Sequence, residues 1–390
     1  MTGVAILGAT GSIGRSTLDV IRSLGDGFRV VGMSAGSNWE ALAGAAREFA
    51  PARVALADES AAAKLKASGA LDGASLLAGE SAAAEIAAAE DADIVVSAIV
   101  GAPGLEPTLA AVRAGKRVAL ANKESLVMAG PLVLDEARAS GATLLPVDSE
   151  HSAVFQAKAA GSDPEIKRII LTASGGPFRD RPREEFEAIT AEEALRHPTW
   201  SMGPKITVDS ATLMNKALEI IEARWLFELE PSRIDVWIHP QSVVHSMVEF
   251  VDGSVVAQLG LPDMRLPIQY ALTYPERLAS DRASLGPGDM SSLTFERPDT
   301  ERFPALELGW RAAREGGNAG AAMSAANEVA AGAFLEGRCS FTDIPRAVEA
   351  AMDAREPVEE MCLEDVWRTD RAARAVARRE LGLAAREGVL

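Results

Sequence analysis

Over the first 147 residues, short aliphatic and β-branched runs alternate with Ala-rich stretches whose apolar positions recur at helical spacing. The runs at 4–7, 29–33, 54–57, 94–99, 118–121 and 143–147 predict strands, and 39–49, 82–89 and 105–114 predict helices between them. Such alternation argues for βαβ units and a parallel sheet. Ile94-Val95-Val96 and Val118-Ala119-Leu120 are apolar at every position, as strands covered on both faces should be.

The pattern changes after residue 147. Runs at 169–172, 236–239, 243–250 and 255–259 read as strands, and Asp252-Gly253 is a hairpin signal. An antiparallel or mixed sheet is expected there. A long helix is expected over 211–226, with Leu213, Ala217, Ile220, Ile221 and Trp225 as its apolar stripe. Gly286-Pro287-Gly288 and Pro298 mark a linker over 286–304. Helical patterns at 305–315, 319–336, 343–353 and 363–385 then predict a small bundle. The expected class is α/β: an N-terminal Rossmann-like parallel sheet (1–147), a central α+β catalytic domain (148–285) and a C-terminal helical bundle (305–390).

Charge narrows the function classes. Asp and Glu outnumber Lys and Arg by 56 to 39, a net charge of −17. That field repels phosphate backbones and anionic lipid, so nucleic acid and membrane are poor partners. A small anionic substrate would need local cations and backbone N–H groups. Cys339 and Cys362 have no CxxC neighbour, which argues against a disulfide scaffold or zinc–thiolate site and fits a reducing compartment. The N-terminal residues run straight into a strand without a basic and then apolar leader. The longest apolar stretch is far below the ~18 residues of a membrane span. A cytoplasmic protein is expected.

Gly8-Ala9-Thr10-Gly11-Ser12-Ile13-Gly14 follows the first strand and opens a helix. Glycines there permit a tight turn and close approach of a pyrophosphate to the helix N-terminus. An ordinary glycine-containing turn is the plainer reading. After the second strand, Ser34-Ala35-Gly36-Ser37-Asn38 lacks the Asp or Glu that would hold a ribose 2′-OH. Small polar residues leave room for a 2′-phosphate, which favours NADP(H) over NAD(H). Asn122-Lys123-Glu124-Ser125 closes the fifth strand, at the carboxyl edge where open parallel sheets bind ligands.

Asp148-Ser149-Glu150 follows the 143–147 run. In an extended chain its two carboxylates share a side, and they repel unless a cation intervenes or one is protonated. Glu219 falls on the predicted 211–226 helix. Carboxylates alone, without Cys or His, suit Mg2+ or Mn2+; a solvated acidic turn and an exposed glutamate are the alternative. Ser210 would start the same helix, it or Asp209 serving as N-cap. Asn215 and Lys216 precede Glu219 by about one turn. Hydroxyl, amide and ammonium together suit a phosphate, and Ser174-Gly175-Gly176 could offer N–H groups to an anion. Singly, each also fits a cap, a surface ion pair or a turn. The segment 197–205 has no period, yet carries Trp200 and Met202. Large apolar residues on a loop must cover something, either as a closing flap or as part of the core. His239 and His245 lie on strand patterns and read as structural.

The segments GATGSIG (8–14), ANKESLV (121–127), LPVDSEHSAVFQ (145–156), LTASGGPF (171–178), HPTWSMGPKITVDSATLMNKALEIIEARWLF (197–227), IHPQSVVHSMVEF (238–250) and GLPDMRLPIQYAL (260–272) resemble, in order, the 1-deoxy-D-xylulose 5-phosphate reductoisomerase family. The resemblance implies NADPH- and metal-dependent isomerisation and reduction of that sugar phosphate to 2-C-methyl-D-erythritol 4-phosphate, in the non-mevalonate route to isoprenoid precursors. It implies NADPH contacts at Thr10, Gly11, Ser12, Ile13, Gly36, Ser37, Asn38, Asn122, Glu124, Gly203 and Met264. The metal, Mg2+ or Mn2+ with Co2+ a further candidate, would be held by Asp148, Glu150 and Glu219. The phosphate would be held by Ser174, Ser210, Asn215 and Lys216. Lys123, Ser149 and His197 would contact substrate oxygens. Trp200 and Met202 would belong to a flap over 194–205. Lys123, Asp148, Glu150, Glu219 and His197 would form the catalytic set of a homodimeric enzyme. Two positions depart from the family pattern: Ser37 stands where Lys is common, and Thr199 where Asn is common. A plain NADP-dependent dehydrogenase without a metal, and an NADP-binding protein without turnover, are the competing readings.

Overall fold

The computed structural model of the chain describes residues 1–71, 73–200 and 202–383. Its contacts divide it into two compact units that do not follow chain order. The first is Met1–Ser125, Val133–Ser152 and Asp263–Arg282; the second is Leu126–Leu132, Ala153–Pro262 and Ala283–Leu390.

The first unit holds seven strands: β1 (Thr2–Leu7), β2 (Phe28–Ala35), β3 (Arg53–Leu56), β4 (Ser75–Ala78), β5 (Ile94–Ser97), β6 (Arg117–Leu120) and β7 (Thr143–Pro146). They pair in parallel in the order β4-β3-β2-β1-β5-β6-β7. Val4, Ile6, Leu7, Val95 and Val96 are fully buried, each contributing about 1.5–3 kcal/mol relative to exposure. The strand order departs in both directions from β1, so the carboxyl ends of β1 and β5 flank a topological switch point, where open sheets bind ligands. Helix Arg265–Thr273 lays Pro267, Ile268, Ala271 and Leu272 inward and packs on helix Ser12–Leu24 and on β6 and β7. This segment, expected in the central domain, therefore groups with the N-terminal sheet.

The second unit is built on β8 (Ile166–Ala173), β9 (Ile234–Ile238), β10 (Val244–Phe250) and β11 (Val255–Leu259), ordered β11-β10-β8-β9. β8 and β9 are parallel and the other pairs antiparallel, a mixed sheet as expected. The Asp252-Gly253 hairpin is present: Gly253 has φ 88° and donates to the Phe250 carbonyl at 3.0 Å. One core runs from Ile169, Leu171, Val236 and Val248 of the sheet into helices Ala305–Glu315, Ala319–Leu335, Asp343–Asp353 and Leu363–Glu380. The C-terminal helices thus share the sheet's core. The last helix, expected to reach 385, stops at Glu380, and Gly382 takes φ 62°; residues 384 and 385 lie outside the described residues. The expected linker has no helix, and Glu296 within it bridges to Ile238 of β9.

Helix Lys123–Ser140 contributes to both units. Ala129 breaks its helical geometry two residues before Pro131, whose missing N–H cannot join the ladder. Within the second unit, Gly130 leaves room for the Trp225 ring, which a Cβ would meet at 2.3 Å.

Candidate functional site

The glycine loop sits at the carboxyl end of β1. Gly8 has φ 85°, and a Cβ on Gly14 would lie 2.3 Å from the Gly8 carbonyl oxygen and 2.5 Å from the Ala9 Cα. These two glycines are demanded by backbone conformation and close packing. Gly11 is less constrained, with only the Gly8 oxygen at 3.3 Å. No side chain of Gly11 caps helix Ser12–Leu24, so the first turn offers backbone N–H groups to an anion. Thr10 and Ile13 are half-buried beside exposed Gly11 and Ser12. Gly8 and Ala9 donate to the Ser34 carbonyl at 3.1 and 2.7 Å, tying this loop to the end of β2. There Gly36, Ser37 and Asn38 are exposed, and Asn38 Oδ1 caps the next helix by accepting from Ala41 N–H at 3.1 Å.

At the end of β6, Asn122 is buried and its amide is fully committed. Nδ2 donates to the Ile99 and Gly101 carbonyls at 2.7 and 3.0 Å and to Glu124 at 3.1 Å. Oδ1 accepts from Ser125 N–H at 2.9 Å. The next residue, Lys123, pairs through Nζ with Asp148 Oδ2 at 2.7 Å. Asp148 does not continue the strand, contrary to the extended reading. It precedes helix Ser149–Ala157, its Oδ1 accepts Ser149 N–H at 3.0 Å, and its carbonyl accepts Ser152 N–H at 2.8 Å. Glu150 lies in that helix's first turn and accepts from Ser149 Oγ at 2.5 Å. Carboxylates at a helix start also meet the positive end of the helix dipole. Met264 also belongs to the first unit, preceding helix Arg265–Thr273.

In the second unit three predicted residues converge. The ring Nε2 of His197 is 3.2 Å from Ser174 Oγ and 3.1 Å from Ser210 Oγ. Its Nδ1 accepts the N–H groups of Thr199 at 3.2 Å and Trp200 at 2.9 Å. The proton of the neutral ring therefore sits on Nε2 and is donated to one of the two hydroxyls. Burial pushes the His197 pKa down, and protonation at Nδ1 would also cost both backbone bonds. Gly175 and Gly176 take φ 86° and 70°, and Gly176 packs on the Ser210 carbonyl, which a Cβ would meet at 2.8 Å.

Ser210 is not an N-cap, and the 211–226 helix is not continuous with it. Ser210 lies in the last turn of helix Pro204–Ala211, Leu213 turns left-handed at φ 59°, and a new helix, Met214–Leu226, begins. The break places Asn215 and Lys216 in a first turn. Glu219 is 0% exposed, and both its oxygens are held at 2.5 Å, Oε1 by Asn215 Nδ2 and Oε2 by Lys216 Nζ. Trp200 is half-buried, 6.1 Å from the His245 ring between centroids. Gly203 precedes helix Pro204–Ala211. Ser201, within the expected flap, lies outside the described residues. His239 is structural, with Nδ1 donating to the Thr294 carbonyl at 2.9 Å and Nε2 accepting from Val243 and Val244.

One polar cluster escaped the sequence reading. Asp209, 2% exposed, pairs with Lys205 Nζ at 2.7 Å and accepts from Asn327 Nδ2 at 2.9 Å. The Lys205/Asp209 spacing of one helical turn was a legible signal; Asn327 is too distant in sequence to suggest itself.

The donor chemistry fits a hard divalent ion: Asp148 and Glu150 in the first unit and Glu219 in the second offer carboxylate oxygens, without thiolate.

Comparison with known proteins bears on this site. Three family models match the chain: 1-deoxy-D-xylulose 5-phosphate reductoisomerase over residues 4–130, its C-terminal domain over 144–227, and a further DXP reductoisomerase C-terminal domain over 259–376. The chain is 53% identical to the 1-deoxy-D-xylulose 5-phosphate reductoisomerase of Heliobacterium modesticaldum over 97% of both chains. It is 52% identical to that of Chlorobium phaeovibrioides, over 97% of this chain and 98% of the relative. Among solved structures, it is similar to the Zymomonas mobilis reductoisomerase in complex with NADPH, at 46% identity and TM-score 0.90 over 97% of this chain and 99% of the other. It is also similar to a DOX-P reductoisomerase in complex with NADPH, fosmidomycin and magnesium, at 44% identity and TM-score 0.93 over 98% of each chain.

Proposed function

The chain belongs to the 1-deoxy-D-xylulose 5-phosphate reductoisomerase family, and from that premise we propose how its residues divide the work. It is an NADPH-dependent oxidoreductase that, with a divalent cation, isomerises and reduces 1-deoxy-D-xylulose 5-phosphate to 2-C-methyl-D-erythritol 4-phosphate.

Asp148, Glu150 and Glu219 would hold the cation, which when bound polarises the substrate's carbonyl and hydroxyl oxygens. Thr10, Gly11, Ser12, Ile13, Gly36, Ser37, Asn38, Asn122, Glu124, Gly203 and Met264 would hold NADPH, which would supply the hydride when bound. Lys123, held to Asp148 by their 2.7 Å ion pair, would orient the substrate's oxygens together with Ser149. Ser174, Ser210, Asn215 and Lys216 take the phosphate. A hydroxyl can donate to a phosphate oxygen while accepting from His197 Nε2–H, so a neutral His197 orients Ser174 or Ser210 toward the anion. Trp200 and Met202 exclude water from the reacting carbons.

One observation carries this assignment: the buried Glu219 carboxylate flanked by Asn215 and Lys216. Burying such a pair costs about several kcal/mol of desolvation per ion, and a packing role would be met as well by an aliphatic side chain. The test is NADPH oxidation with 1-deoxy-D-xylulose 5-phosphate in wild type and in Ser174→Ala and Ser210→Ala variants, after chelation and with Mg2+ restored. Metal-dependent turnover, identified by its product, is expected, with a raised KM for the sugar phosphate in both variants. Unchanged KM values would remove these serines from the phosphate site.

The proposal includes a homodimer in the cytoplasm. One face of the second unit's sheet supports the dimer: Ile170, Val244 and Met247 pack there against Trp237, Ala257, Leu259 and Leu293, half-buried apolar residues that a second copy would cover. Light scattering should give twice the 40.9 kDa chain mass, and a monomer at micromolar concentration would contradict it. The free thiols of Cys339 and Cys362 suit a reducing compartment. No helix among the described residues is long and apolar enough to cross a membrane.

A further inference from the structure

The buried Asp209 cluster lies one residue from Ser210, and nothing in the phosphate site explains it. Helix Pro204–Ala211 joins the flap segment at one end to Ser210 at the other. Asp209 faces the opposite way from a surface residue: it is 2% exposed, with Oδ2 on Lys205 Nζ at 2.7 Å and Oδ1 on Asn327 Nδ2 at 2.9 Å. Lys205 lies on the helix's own first turn, so that pair stiffens the helix from within. Asn327 lies in the middle of helix Ala319–Leu335, is 0% exposed, and sits among alanines of the same core. A buried amide in an Ala-rich helix is unfavourable unless it holds something, and what it holds is Asp209.

We propose that Asn327, through Asp209, is a positioning residue for the phosphate subsite: it fixes where helix Pro204–Ala211 sits, and so where Ser210 Oγ stands relative to His197 and Ser174. The inference rests on the assignment of Ser210 to the phosphate. The helix is held against the core by buried Val208 and Ala211, and directionally by the Asp209–Asn327 hydrogen bond. It has eight residues, begins without a side-chain cap, and ends at the left-handed turn of Leu213. Its last turn must stay against Gly176, where the Ser210 carbonyl leaves no room for a Cβ. Ser210 Oγ lies at the edge of hydrogen-bond range from His197, at 3.1 Å, so a displacement of about 0.5 Å breaks that contact. Phosphate affinity is therefore set partly from a helix whose own side chains carry none of the phosphate ligands.

The geometry dictates the rescue. In Asn327→Asp two carboxylates face each other in the core. In Asp209→Asn combined with Asn327→Asp, the amide introduced at position 209 turns its oxygen to Lys205 and its N–H to the carboxylate introduced at position 327, restoring both contacts and the net charge. The experiment measures KM for 1-deoxy-D-xylulose 5-phosphate, inhibition by inorganic phosphate, NADPH affinity by fluorescence, and Tm, in wild type, Asn327→Ala, Asn327→Asp, the double exchange and Ser210→Ala. The single Asn327 variants are expected to raise the sugar-phosphate KM and the phosphate inhibition constant by about tenfold, with NADPH affinity within about twofold. The double exchange is expected to recover most of that loss. The inference is overturned if the Asn327 variants lower Tm but leave both constants unchanged, or if the double exchange binds phosphate no better than Asn327→Asp. Should a single variant fail to fold, the double exchange alone decides, since it must bind substrate like wild type. An unchanged KM in Ser210→Ala identifies the parent assignment as the failure; a raised KM there with wild-type values in Asn327→Ala rejects the positioning role alone.

Discussion

Lys216 and Glu219 form the ion pair whose removal should cost the second unit most. Their side chains are 3% and 0% exposed and meet at 2.5 Å. An exposed pair of similar helical spacing, Arg196 with Glu192, has side chains 72% and 79% exposed. For the exposed pair, solvent screening and side-chain entropy leave about 0–1 kcal/mol. For the buried one, Lys216→Met strands a carboxylate in the core, a class of change that costs about 3–5 kcal/mol. Asn215 keeps its hold on Oε1, so the lower end, about 3 kcal/mol, is expected. Lys216→Met combined with Glu219→Gln removes both charges, and the stability should largely return, giving a coupling of about 2–3 kcal/mol. The assay is urea unfolding in a metal chelator, with constant m values across the series and Arg196→Met as the exposed control. If Lys216→Met costs no more than Arg196→Met, or if the double variant loses the sum of the singles, the buried-charge reasoning is wrong.

Gly14→Ala should lower NADPH affinity by at least about tenfold, because its Cβ would overlap the Gly8 oxygen at 2.3 Å and push the loop from the pyrophosphate. Gly11→Ala, with its nearest contact at 3.3 Å, should cost clearly less; cofactor titration by fluorescence checks the order. The His197 pKa is held low by burial. Below the usual imidazole value of about 6.5 the unfolded chain binds the proton more readily, so stability present above that pH falls as the solution is acidified. Tm measured from about pH 7.5 to 5.5 should therefore drop more steeply in wild type than in His197→Gln; parallel curves would contradict this.

The parallel sheet was legible because its central strands carry runs apolar at every position, 94–96 and 118–120, as doubly covered strands do. β4 was missed for the opposite reason: it is four residues long at the sheet edge, with two half-buried leucines between exposed neighbours. The left-handed turn at Leu213 left no mark, since Ala211 to Leu226 keeps a helical stripe across it and no glycine signals the break. The helix start at Asp148 was available in principle. Asp-Ser-Glu is an N-cap pattern, but the preceding apolar run suggested a strand that continued. Ser174, His197 and Ser210 were each nominated separately; only the fold brings them within hydrogen-bond distance. Asn327 could not be nominated, because its reason for being polar lies 118 residues away.

We propose that Asp148, Glu150 and Glu219 hold one divalent ion. Titration of Mn2+ into the chelator-treated enzyme, followed by electron paramagnetic resonance, tests it most directly in wild type and in Asp148→Asn, Glu150→Gln and Glu219→Gln. One ion per chain is predicted, with each variant binding at least about tenfold more weakly. Glu219→Gln binding Mn2+ as tightly as wild type, while Asp148→Asn does not, would contradict it.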